Sequence, residues 1–230
     1  MATAAVSGDT AKSINAAQDM LDNLKEQLAK QPNGKTKMIS IYISLAKDLE
    51  RQLTIAAPDD RKALSRGFES FLRGAAEGNK DVAVQNCAGA TFFSLGQGML
   101  QGNTSSPEAQ RYFTESAKAY EQVLMMAKSQ PDALTPNALM QVQARLAMAW
   151  RQLGKYSEAM DLFAKLLGNQ KKAYLNIQIE AAKTLQQWGT VGGKAEALTK
   201  AIKGDKPGKD SRNAIWGWGR IAKVLSLIHI

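Results

Sequence analysis

Cys87 is the only cysteine in this chain and His229, the penultimate residue, its only histidine. One thiol allows no disulfide within the chain and leaves the redox compartment open. In the run VQNCAGATFF, Cys87 reads more simply as a small helix residue of the core than as a catalytic thiol. With His229 outside any folded centre, a histidine pair, a histidine-containing zinc site and a nucleophile-histidine triad all lack their parts. Gly193-Lys194 invites a phosphate-loop reading, but that pattern needs glycine where Trp188 stands and Ser or Thr where Ala195 stands. Gly96-Gln97-Gly98 lacks the third glycine of a dinucleotide fingerprint, since Gln101 occupies its place, and it follows a helical pattern rather than a strand. Asp59-Asp60 fits a helix start better than a carboxylate pair. Trp216 and Trp218 cannot share one helical face, so one packs inward while the other meets a neighbouring unit or a ligand; core packing is the simpler reading. Hidden activity would have to come from Asp, Glu, Lys or Tyr in a cleft, or from a domain beyond this sequence. These residues point away from an enzyme, and no cofactor or metal is expected.

The elements that position these side chains read as helices throughout. Alanine, leucine, lysine, glutamine and glutamate recur, and these are strong helix formers. The one β-like run, ISIYIS from Ile39, belongs to a helical stripe that continues through Tyr42, Leu45 or Ala46, Leu49 and Leu53. A first helix is expected from about Asp9 to Lys30, a QPNGKT turn, then a second from Met38 to Ala57, packed as an antiparallel hairpin. Leu64, Phe68, Phe71, Leu72 and Ala75 mark a third helix. Val84, Ala88, Phe92, Leu95 and Met99 mark a fourth, in which Gly89, Gly96 and Gly98 weaken the helix and admit close neighbours. Ser106-Pro107 and Thr135-Pro136 each read as an N-cap followed by proline at the first helical position. The polar stretch KGDKPGKDS from Lys203 predicts an exposed loop, and NAIWGWGRIAKVL the first helix of another unit.

The stretch 138–167 carries the most specific pattern. Leu139, Val142, Leu146, Trp150 and Leu153 share a helical face. Gly154 stops that helix, and a second stripe runs through Tyr156, Ala159, Met160, Phe163 and Leu166 or Leu167. Ala147 and Ala159 suit a close crossing of the two helices. In Leu146, Ala147, Trp150, Gly154, Tyr156, Ala159 and Phe163, taken in order, the stretch resembles a bacterial-type tetratricopeptide repeat, although Gln143 stands where that repeat usually has tryptophan and its closing proline is absent. Weaker likeness extends over about 80–124 and 172–202, with no motif before Asn79. The like positions Ser116, Ala159 and Ala195 lie farther apart than the repeat's ~34 residues, which implies an irregular array.

The expected fold is therefore all-α: an irregular α-solenoid of about ten helices in antiparallel hairpins. Residues 9–79 form an N-terminal hairpin region, 80–224 the repeat-like part and 225–230 a non-native tail. That tail, LSLIHI, resembles a translated sequencing adaptor, and the alternative is an ordinary apolar helix end. The resemblance implies a non-enzymatic scaffold whose stacked first helices line a concave surface for a peptide or protein. It places Gln141, Arg145, Met148, Arg151 and Gln152 toward that surface, joined by Asn176, Ile179, Lys183 and Gln187 from the next unit. The lysine and asparagine constellation with which some members clamp a peptide carboxylate is not present.

Two other readings stay open. From Gly168 onward there are 11 Lys and Arg against 4 Asp and Glu, which carries most of the chain's net +9. A basic helical-repeat binder of nucleic acid would use that charge, but no basic run interleaved with aromatics accompanies it, and a solvated basic face explains it more simply. The other is an architectural segment of a larger envelope or secretion protein. No apolar run approaches the ~20 residues that cross a bilayer, and the N-terminus lacks a basic-then-apolar leader. A complete chain would thus be cytoplasmic, and a fragment could belong to the envelope.

Overall fold

The computed structural model describes residues 30–55, 80–100, 106–168 and 175–193, with isolated positions among 16–28, 65–76 and at 196. Among the described residues every regular element is helical. Six α-helices are delimited: α1 (Gly34–Ile55), α2 (Val82–Met99), α3 (Pro107–Ser129), α4 (Pro136–Gln152), α5 (Tyr156–Gly168) and α6 (Leu175–Trp188). A 3-10 turn (Pro131–Ala133) precedes α4 and a π turn (Gly189–Gly193) follows α6. That makes eight helical elements among the described residues, where the spacing predicts about ten. The difference has two sources. The two short turns add elements that periodicity cannot register, whereas the expected helices at 9–30, 59–75 and 213–225 fall wholly or partly outside the described residues. Asp59-Asp60, Trp216, Trp218, His229 and the tail 225–230 also lie outside them.

The chain divides into two compact units, 1–130 and 131–230. In the first, α2 packs on α1 and along α3. Helix α1 begins at Gly34, four residues before the expected Met38. The turn formed by Gln31 N–H donating to the Leu28 carbonyl and Gly34 N–H to Gln31 passes directly into the first helical bond, Lys37 N–H to Asn33. A Cβ at Gly34 would collide with the Leu28 backbone, so this tight entry needs glycine. Ala46, Leu72, Ala88, Phe92, Leu95, Tyr112 and Ala119 form the shared core, with Tyr42, Leu45 and Cys87 packed at its margin.

The start of α2 is set by Asp81, whose carboxylate accepts from the N–H groups of Ala83 (2.9 Å) and Val84 (3.2 Å). It satisfies two donors that a helix start leaves without partners. Asp81→Ala is expected to lower the stability of this unit by about 1 kcal/mol and Asp81→Asn by much less, as read from urea midpoints.

The glycines of α2 answer to α3. An added Cβ at Gly89 would lie 2.9 Å from the Tyr120 ring, and at Gly96 2.7 Å from Phe113, whereas Gly98 faces open space. Close approach also lets the buried Ser116 hydroxyl donate to the Gly89 carbonyl at 2.7 Å. Beside this seam, Arg73, Gln85, Phe92, Glu115 and Lys118 line a crevice of about 260 Å³. Ion pairs lie at the crevice and nearby. Glu69 meets Arg73 and Arg111, and Glu115 meets Arg73 and Lys118. Tyr112, whose hydroxyl donates to Glu69, has its phenol pushed up to about 12, first by burial and then by the negative charge of Glu69.

Candidate binding face on helices α4 and α6

Helix α4 starts as its sequence predicts. Thr135 Oγ1 accepts from Ala138 N–H at 3.2 Å, and Pro136 occupies the first turn, where its missing N–H costs nothing. It stops at Gly154, whose φ of +77° is open to glycine and strained for other residues. Gly154 N–H donates to Arg151 and Lys155 N–H to Trp150, so the last turn closes its own carbonyls. Helix α5 then folds back, with Ala147 on α4 and Ala159 on α5 fully buried in one core. Met160, Phe163, Leu166 and Leu167 fill that core from α5 and Ile177, Ala181, Ala182 and Leu185 from α6. Helix α5 packs against both α4 and α6, and α4 also touches α6.

The seam between α4 and α6 is fixed by a charge. Arg151, expected on the partner-facing side, is instead buried at 6% exposure. Its guanidinium donates to the Glu180 carbonyl at 3.1 Å and pairs with the Glu180 carboxylate at 2.7 Å. Lys183 meets the other carboxylate oxygen at 2.8 Å, and Thr184 Oγ1 donates to the same Glu180 carbonyl. Helix α4 itself contains no carboxylate. An arginine drawn into the seam by its apolar stem finds its counter-charge on α6. Glu180 is the site residue that sequence reasoning missed; its i,i+3 spacing to Lys183 was visible, but its pairing across 29 residues was not.

Burial alone would raise the Glu180 carboxyl. The hydrogen bond from Lys183 and the charge of Arg151 together outweigh it and hold the group below its usual value of 4.5. A carboxyl depressed by folding adds stability above its unfolded pKa and loses it as pH falls through the lower folded value. Melting temperature measured between pH 7 and pH 3 is therefore expected to drop below about pH 4.5, and Glu180→Gln to flatten part of that fall.

At the far end of the seam Tyr156 stacks on Trp188, with ring centroids 6.2 Å apart and planes 14° from parallel. Burial raises the Tyr156 phenol, against a hydrogen bond with Gln187 and the charge of Arg151. Gly192 (φ +98°) turns the chain, and Gly193 lies so close to the Trp188 indole that a side chain there would overlap it. Gly192 and Gly193 thus lie in the π turn that follows α6.

The Arg151–Glu180 bridge phases the remaining candidates. Met148 lies one turn before Arg151, and Arg145 and Gln141 continue its stripe. On α6, Asn176, Lys183 and Gln187 lie at helical spacing from Glu180. Gln141, Arg145, Asn176 and Lys183 are exposed, and Met148, Gln152 and Gln187 half-buried. Ile179, 41% exposed, is a large apolar residue left at the surface. The structure thus leaves five of the nine expected residues exposed on two adjoining helices, Gln141, Arg145, Asn176, Ile179 and Lys183, keeps Gln152, Gln187 and the core-packed Met148 half-buried, and moves Arg151 beneath the surface. Among the described residues no cluster of three His, Cys, Asp or Glu could hold a metal, and no helix is long and apolar enough to cross a membrane. No family model, curated protein or solved structure matches this chain.

Proposed function

We propose that this chain is a non-enzymatic interaction scaffold of tetratricopeptide-like type, which binds a peptide or protein segment along the α4 and α6 face. One observation supports this reading above the others. Two helices that share the α5 backing are tied together by a buried ion pair, and beside it they leave amides, cations and an apolar side chain exposed. A surface fixed by its own core before binding loses little conformational entropy when a partner docks. An unpartnered Ile179 amid polar residues supplies the apolar contact such docking uses.

The experiment is a selection of displayed random peptides on the full chain, repeated on the double variant Gln141→Ala/Ile179→Ser. Enrichment of peptides that bind the parent and fail on the variant supports the reading. Enrichment unaffected by the variant, or none at all, removes it and favours the architectural role. The nucleic-acid reading has less support, because the basic excess after Gly168 comes without a basic run interleaved with aromatics.

A further inference from the structure

The face is electrically one-sided. Helix α4 holds no Asp or Glu, and the exposed Arg145 makes no ion pair or hydrogen bond among the described residues. Glu180 is the only carboxylate in α6. It is shared between Arg151 and Lys183, so that triad keeps one uncompensated positive charge. Arg145 supplies a second. The exposed carboxylates Glu158 and Asp161 sit on α5, the helix packed behind both.

We infer that the α4 and α6 face selects an acidic peptide segment built around an apolar residue, an inference that rests on the scaffold reading above. Arg145 and Lys183 take the carboxylates, and Ile179 takes the apolar side chain. Gln141 and Asn176, each offering both a donor and an acceptor, match the N–H and C=O groups of the bound backbone. A nucleic acid fits less well. Duplex phosphates recur about every 1.7 Å along the axis and call for a row of cations, where this face offers two.

The test uses the full chain and three fluorescein-labelled peptides of equal length. Each has a central leucine, flanked in one by Asp and Glu, in the second by Asn and Gln, and in the third by Lys. An oligo-dT of similar length is the fourth probe. Fluorescence anisotropy at about 50 mM salt is expected to show the acidic peptide binding about tenfold tighter than its amide counterpart, a gap that narrows as salt shortens the screening length. Arg145→Glu should cut acidic-peptide affinity about tenfold and leave the amide peptide unchanged, with circular dichroism confirming the fold. Equal binding of acidic and amide peptides, with loss of both in Ile179→Ser, overturns the acid preference and leaves the scaffold reading standing. No acidic-peptide binding, or tighter binding of the lysine peptide or the oligo-dT, also overturns the inference; the peptide selection then judges the scaffold reading separately.

Discussion

Arg151→Ala is expected to lower the stability of the second unit by about 2–3 kcal/mol. The guanidinium is buried at 6% exposure and serves both the carboxylate and the carbonyl of Glu180. Truncation removes the nearest counter-charge from the carboxylate and one donor from a carbonyl that keeps Thr184 Oγ1, and it leaves a void where the arginine stem lay. Lys183 still faces the carboxylate, which keeps the cost below that of a fully orphaned buried charge. Arg151→Met, which refills the volume, should lose less, because an apolar residue of similar size can replace one half of a buried pair more cheaply than a gap can. A double-mutant cycle with Glu180→Gln measures the coupling, and additivity within about 0.5 kcal/mol would show that the seam is not held this way.

Gly96→Ala is expected to destabilise the first unit by about 1–3 kcal/mol, although alanine is the better helix former by about 1 kcal/mol. The new methyl would sit 2.7 Å from the Phe113 ring. Phe113 is fully buried and packed edge-on against Phe93, so it cannot swing away. Gly89→Ala meets the buried Tyr120 ring in the same way. Gly98→Ala, two residues along the same helix and facing open space, should instead leave stability unchanged or raise it by up to about 1 kcal/mol. Chemical denaturation of the three variants separates contact from propensity: a common sign for Gly96 and Gly98 would contradict the packing of α2 on α3.

What the sequence made legible was local. Ser106-Pro107 and Thr135-Pro136 announce helix starts because the cap and its target N–H groups lie within three residues. Gly154 announces a stop because one residue's φ decides it. The stripes of Val84, Ala88, Phe92 and Leu95, and of Ala159, Met160, Phe163 and Leu167, were readable because burial on a helix recurs with its turn. Leu139, assigned to the same face as Val142 and Leu146, is only half-buried.

What stayed hidden was non-local or polar. Gln85 is buried although its type predicts exposure, because its amide donates to the Ala76 carbonyl. The ion pairs of Glu69 with Arg111 and of Glu115 with Arg73 span 42 residues and leave no periodic trace. For the candidate face, helical spacing was enough to group Gln141, Arg145 and Met148. It could not show that Arg151 turns under the surface, since that depends on where α6 brings Glu180.

If α4 and α6 share one binding face, a bound peptide must perturb both helices together. Backbone-resolved NMR of the full chain, titrated with the acidic leucine peptide, tests it most directly. The account predicts that saturable shifts concentrate at Gln141, Arg145, Met148, Asn176, Ile179 and Lys183, on both helices at once and with a single dissociation constant. Shifts confined to one helix, centred on the exposed side of α5, or absent at saturating peptide would contradict it.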